Sequence, residues 1–254
     1  MTRRAAILGI FSAFAGLALA APAPADDGLP KAETILDHFI EVTGGKAAYA
    51  KRKTEVTTGT VEVSAQGLKG TLTRYAAEPD KSYTEMDLDG VGKIEQGTGG
   101  GVAWEKNAMT GPRVKSGEEK AQAMREAIFN GELNWREMYP KAETAGIETI
   151  DGEECYKVVL TPAEGKPETT YYQKKSGLAV KTVTVATTPM GEFPVEQLVS
   201  DYKDFGGVLM PTKLVQKVAG QEMTMTIQTV KVNQEIPDNR FDPPAEIKAL
   251  LQKK

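Results

Sequence analysis

The chain has 254 residues, 40% hydrophobic and 26% charged, with a net charge of −4. That suffices for one large domain or two small ones with a real core, and it excludes a disordered tail. One cysteine, Cys155, and one histidine, His38, exclude a disulfide framework, a Cys-based zinc finger and a multi-His metal site, and the negative balance argues against a dominant nucleic-acid surface.

Arg3 and Arg4 form a basic start, and Ala5 to Leu19 is an unbroken run of apolar and small residues. Ala18-Leu19-Ala20 fits the A-x-A cleavage rule and is followed by a Pro/Ala stretch. Residues 1–20 therefore read as a cleaved secretory signal peptide and residues 21–29 as a linker. A transmembrane anchor is the weaker reading, because the run is short and mostly alanine. No Cys near the cleavage site can receive a lipid, so the protein is not expected to be a lipoprotein. Loss of Arg3 and Arg4 takes the net charge from −4 to −6. No later apolar run is long enough to span a bilayer, so the expected location is the periplasm.

A helix opened by Pro30 follows, with Ala32, Ile35, Leu36, Phe39 and Ile40 on one face, and Gly44-Gly45 stops it. A short helical turn is expected at residues 46–51. From Thr54 the chain breaks into short Thr-, Val- and Tyr-rich runs. Gly, Pro and Asp punctuate them, as in antiparallel strands joined by tight turns. Strands are expected near 54–64, 68–77, 81–89, 91–96 and 101–106. Turns fall at Gln66-Gly67, Pro79-Asp80, Asp89-Gly90 and Gly97 to Gly101. Ser116 and Glu119 form a capping-box pattern that opens a helix to about Asn130, with Ala121, Met124, Ile128 and Phe129 as its stripe. A second short helix carries Leu133, Trp135 and Met138. Strands resume at 143–150 and 153–161 around the hairpin signal Asp151-Gly152. Others lie near 168–174, 178–188, 193–204, 209–219 and 221–233. Ala245 to Leu251 reads as one or two helical turns. No repeat or low-complexity linker divides the chain, so residues 30–252 are expected to form one domain.

So many antiparallel strands must hide their edges by closing, curling or being covered. The expected fold is α+β and mostly β. It is a strongly curved antiparallel sheet, an open or half β-barrel of about 10–11 strands, with helices covering the concave face.

The end of the chain reads N-x-x-I-x-x-x-x-F-x-P-P-x-x-I, from Asn233 through Ile236, Phe241, Pro243-Pro244 and Ile247. Upstream stand Pro79-x-Lys81-x-Tyr83, Gly99 to Trp104, Gly177-Leu178, Asp201-Tyr202 and Gly207 to Pro211. In this order, over roughly residues 31–250, the chain resembles distant members of the LolA/LolB-like superfamily of the outer membrane lipoprotein-sorting type. The resemblance implies an open barrel with helices as a lid and an apolar concavity that shelters acyl chains. One position departs: Glu78 precedes Pro79 where the lipoprotein carriers place a functional Arg, and Arg74 lies nearby but outside the motif.

Little covalent chemistry is visible. His38 lies on a polar helix face beside Asp37 and Glu41 with no nucleophile in a motif, and reads as a surface residue. Gly97 to Gly101 lacks the Lys-Ser or Lys-Thr of a phosphate loop and reads as a flexible hairpin loop. Asp87 to Gly90 lacks the later ligands of a calcium loop. The neighbours Glu118-Glu119 and Glu153-Glu154 do not face each other, so they are not acid–base pairs, and the first suits a helix start. Cys155 reads as a small strand residue. The expectation is a protein that is not an enzyme and has no catalytic residues, cofactor or metal.

Its expected role is to carry or bind lipid or lipoprotein acyl chains in the envelope, by burial in the apolar concavity and without covalent chemistry. Flexible thioether side chains suit an adaptable pocket. The candidate lipid-binding residues are Leu72, Met86, Leu88, Trp104, Met124, Ile128, Met223, Met225 and Ile227. The alternative is a non-catalytic periplasmic sensor or protein-interaction module on the same fold, partnered by an envelope protein and favoured if the helices pack the concavity solid. Neither reading involves nucleic acid or a membrane span.

Overall fold

The computed structural model describes residues 28–108 and 110–252. The signal-peptide reading of residues 1–20 lies outside the described residues, as does most of the 21–29 linker. The elements are α1 (Ala32–Val42), α2 (Lys46–Ala50), β1 (Thr54–Val63), β2 (Leu68–Ala77), β3 (Lys81–Leu88), β4 (Gly92–Gly99), β5 (Val102–Asn107) and β6 (Gly111–Val114). Then come α3 (Gly117–Glu126), α4 (Trp135–Met138), β7 (Lys141–Ile150), β8 (Glu153–Thr161), β9 (Glu168–Gln173), β10 (Ala179–Thr188), β11 (Gly191–Phe205), β12 (Val208–Val218), β13 (Gln221–Val232) and α5 (Ala245–Leu251).

All the strands join one antiparallel sheet of 13 strands, in the order β6-β5-β4-β3-β2-β1-β13-β12-β11-β10-β9-β8-β7. The count exceeds the expected 10–11, and β6 carries no strand signal of its own. It has four residues, Gly111-Pro112-Arg113-Val114, and pairs with β5 on one side only. Proline is tolerated there because an edge strand can leave one N–H side empty. Strands β6 and β7 are the two ends of the order, so the barrel stays open.

The sheet is curled, and the contacts of α3 show why. This helix touches β4 and β5 at one end of the order and β10 towards the other. From β4 to β10 is seven steps, or about 34 Å across a flat sheet. A helix of 10 residues is only about 15 Å long. It reaches both flanks only because the sheet folds round beneath it.

The concave face is filled at one end. Leu36 and Ile40 of α1 pack with Trp135, Val158, Leu160, Tyr172 and Val208. Thr43, fully buried, ends the helix, with its Oγ1 2.6 Å from the Phe39 carbonyl and 2.9 Å from the Tyr49 hydroxyl. Pro30 does not open α1: the helix starts at Ala32 with Lys31 as its N-cap, and the Pro30 carbonyl instead accepts a hydrogen bond from Thr144 Oγ1 at 2.7 Å. On the other half of the sheet Val61, Leu72 and Leu88 make a smaller cluster, flanked by Met86, Ile94, Met223, Met225 and Ile227.

The convex face has its own cover. Tyr75, Tyr83, Gly97 and Trp104 lie opposite one another along a row of pairs crossing β2 to β5. Tyr83 and Trp104 are buried with Ile247 of α5, and Phe241, Leu250 and Leu251 close around them. Arg240 stacks over Tyr75 at 4.6 Å from the ring centroid. Gly97 is required by this row, because a Cβ there would sit 2.7 Å from the Trp104 ring. The expected Gly97–Gly101 loop is accordingly shorter. Gly97 to Gly99 belong to β4, and the turn is Gly100-Gly101, both in the left-handed region at φ 58° and 75°. The Asp151-Gly152 hairpin has both residues at positive φ, 49° and 84°, as a type I′ turn needs.

Candidate functional site

Helix α3 roofs the part of the concavity that α1 leaves free. Each end of it is tied to a different flank of the sheet. Arg113 of β6 grips Glu119 with both guanidinium nitrogens, at 2.7 and 2.6 Å, and Glu105 of β5 at 2.8 Å. The expected capping box is therefore not formed. Ser116 is the N-cap but makes no side-chain cap bond, and the Glu119 carboxylate that would reach back to the Ser116 amide is taken by Arg113. A bidentate charge-assisted pair outcompetes a reach-back to one backbone amide. At the far end Arg125 donates to the Glu164 carbonyl at 3.2 Å and lies 5.8 Å from the Tyr139 ring centroid. The helix stops at Glu126, short of the expected Asn130, and Asn130 takes φ 50°.

No residue of α3 is fully buried, so the roof is loosely seated. Arg113→Gln is expected to free its first turn. Protease cleavage around residues 115–126 should rise about tenfold, while the melting transition of the sheet stays near wild type. Unchanged cleavage would show that the clamp does not hold the roof.

Two cavities remain under the roof. The larger, about 490 Å³, lies between β1–β4 and β11–β13, with Ala123, Glu126 and Ala127 above. Leu72, Met86, Leu214, Met223, Met225 and Ile227 supply its apolar wall. Thr57, Arg74, Thr84, Gln96, Gln197 and Gln216 supply a polar one. The register explains the sharing. Leu72 and Met86 are paired across β2 and β3, Val61 and Met225 across β1 and β13, and Met225 and Leu214 across β13 and β12. Paired residues point to the same face of a sheet.

The second cavity, about 420 Å³, lies toward α1 and is walled by Phe39, Tyr49, Phe129, Trp135, Tyr172 and Tyr202, with Ile128 and several charged groups. Glu55, Arg74, Glu126, Met210 and Pro211 border both cavities. At this shared wall Arg52 and Glu55 form a direct ion pair, both nearly sealed from solvent at 5% and 4% exposure. Glu55 also accepts from Thr57 Oγ1 at 2.7 Å, and Arg74 stands 3.7 Å away.

The structure sorts the candidate residues. Leu72, Met86, Met223, Met225 and Ile227 line the larger cavity. Leu88 lies beside it, buried against Val61 and Leu72. Trp104 borders it too, but its indole belongs to the convex row, with ring centroids 6.1 Å from Tyr83 and Ile247 over it. Ile128 lines the second cavity, and Met124 lines neither. Sequence patterning gives no inward role to Tyr49, Tyr172, Arg52 or Glu55, because hydrophobic alternation hides a charge that points into a core, and it names Arg74 and Tyr202 only through the resemblance.

His38 is half exposed, with Glu41 at 3.8 Å. Cys155 is buried, and burial raises its thiol above the ordinary range. Among the described residues no three His, Cys, Asp or Glu side chains gather to hold a metal ion, and no helix is long and apolar enough to cross a membrane.

A curled, open antiparallel sheet with a helical roof and an unfilled interior is a shared architecture. The chain matches a LolA superfamily protein from Nitrosomonas europaea with a TM-score of 0.55 at 14% identity, over 85% of this chain and 99% of the other. The chain shares the fold of that protein. A DUF1329 family protein from Desulfovibrio piger matches with a TM-score of 0.57 at 14% identity, over 83% and 97% of the two chains. A lipoprotein-sorting protein domain from Vibrio parahaemolyticus matches with 0.52 at 12%, over 86% and 97%. No family model and no curated protein sequence matches the chain.

The LolA-like fold gives the C-terminal motif a physical meaning. Asn233, at φ 56°, turns the chain out of β13, accepting from the Lys53 amide at 2.8 Å and donating to the Lys51 carbonyl at 2.9 Å. Phe241 and Ile247 then seal the convex Tyr83–Trp104 row.

Proposed function

We propose that this protein carries or binds lipid or lipoprotein acyl chains in the bacterial envelope, holding them without covalent chemistry beneath α3. One observation carries the reading: a cavity of about 490 Å³ between roof and sheet, with Met86, Met223, Met225, Ile227 and Leu72 on its wall. Helices that only completed a core would be expected to fill such space, since interiors pack densely. Three Met side chains on that wall supply adaptable thioethers that fit chains of varying length. The reading of residues 1–20 as a leader supports export to the periplasm. Residues 30–252 act in this reading as one unit, and burial of a chain needs no catalytic group.

The test is native mass spectrometry with lipid extraction on protein purified from periplasm. A co-purifying phospholipid, fatty acid or acylated peptide is the expected result. An apo mass that persists after incubation with envelope lipids would overturn the reading and turn attention to a protein partner of α3.

A further inference from the structure

Most charges on the second cavity are accounted for by their neighbours. Arg52 and Glu55 hold each other. Glu168 takes the Tyr139 hydroxyl, Glu126 accepts from Gln122 at 3.0 Å, and Arg125 is held by the Glu164 carbonyl and the Tyr139 ring. Two groups are left over, of opposite sign.

Arg74 is one. Its nearest carboxylate, Glu55, stands 3.7 Å away and is already occupied by Arg52 and Thr57. Its side chain is 36% exposed and borders both cavities.

Glu132 is the other. Its side chain lines the cavity and is open to it, and desolvation by the protein around that cavity raises its carboxyl above the ordinary range. Its own backbone amide donates to it, and among the described residues no side chain is placed to do so. Tyr49, Tyr172 and Tyr202 stand close enough for its charge to act on their hydroxyls. The Tyr49 and Tyr202 hydroxyls are engaged elsewhere, with Thr43 Oγ1 at 2.9 Å and the Ala179 carbonyl at 2.8 Å. A carboxylate among aromatic rings is the environment that receives an ammonium group. A guanidinium with free N–H groups receives a phosphate.

We propose that the ligand's headgroup is zwitterionic, a phosphodiester with a primary ammonium: the phosphate lies at Arg74 on the wall between the cavities, the ammonium at Glu132 in the aromatic cavity, and the chains in the Met-lined cavity. This rests on the acyl-chain reading above and adds the headgroup to it. Arg74 borders both spaces, as a group must that meets the ligand where chain gives way to headgroup.

The test uses delipidated full-length protein and three short-chain probes with the same acyl groups, dihexanoyl phosphatidylethanolamine, phosphatidylglycerol and diacylglycerol, titrated calorimetrically. Wild type should bind phosphatidylethanolamine about tenfold more tightly than phosphatidylglycerol, the effect of one charge-assisted contact. Glu132→Gln should abolish that preference, and Arg74→Gln should weaken both phospholipids relative to diacylglycerol. Equal binding of the two phospholipids by wild type would overturn the headgroup assignment while leaving the acyl-chain reading in place, as would a preference that survives Glu132→Gln. Failure of all three probes to bind would overturn both. The wild-type comparison decides even if a variant does not fold.

Discussion

Replacing Arg52 by Met is expected to cost about 3–5 kcal/mol of stability, read as a lowered urea midpoint with little change in slope. Both members of the pair are almost sealed from solvent, and their carboxylate sits at the wall between the two cavities. Without Arg52, Glu55 keeps only Thr57 and a guanidinium 3.7 Å away. Removing one partner of a buried pair strands the other charge, which is why the loss is large. The double change Arg52→Met with Glu55→Met removes the stranded charge as well, and should recover most of the loss. A single variant within about 1 kcal/mol of wild type would show that Glu55 is solvated from the cavities and needs no partner.

Met225→Glu should lower the affinity for acyl-chain ligands by about 100-fold or more, because it places a carboxylate against the chain. Met225 is paired with Val61 on one side and Leu214 on the other, at the middle of the apolar wall. Its side chain is only half buried, since it faces the cavity, so the melting temperature should fall little. Met124→Glu is the control. Met124 sits on the roof helix but lines neither cavity, and its variant should keep affinity within a few-fold of wild type. Equal losses at both positions would mean that the variants act through folding, and no loss at Met225 would place the ligand elsewhere.

Much of this architecture can be read from the chain. In β13, Met223, Met225 and Ile227 alternate with Thr224, Thr226 and Gln228, and the structure puts the first three on the cavity wall. Asp151-Gly152 announces its hairpin because only a few residue types take two successive positive φ angles. What stays hidden has physical causes. Trp104 reads as a concave residue, since a sheet closed over an interior is expected to put its largest ring inside. Here the α5 segment, about 140 positions later in the chain, builds a second core on the convex side, and a contact so distant in sequence leaves no local trace.

The ionic group is hidden for a related reason. Thr57-Arg74-Thr84-Gln96 is a row of registered pairs that faces inward. Alternation alone assigns a polar row to solvent. Only the curl of the sheet, which the tethering of α3 reveals, turns that row into a cavity wall. The Ser116/Glu119 pattern fails likewise, because Arg113 on an unsignalled edge strand takes the glutamate.

The central claim is that a chain lies between α3 and the β1–β4/β11–β13 floor, and photo-crosslinking tests it most directly. A fatty acid bearing a diazirine near its methyl end would be loaded onto purified protein, irradiated, and its adducts mapped by peptide mass spectrometry. Adducts confined to the peptides carrying Leu72, Met86, Met223, Met225 and the Ala123–Ala127 roof are expected. Adducts on the convex Tyr83–Trp104–Ile247 surface alone, or none at a saturating ligand concentration, would contradict the account.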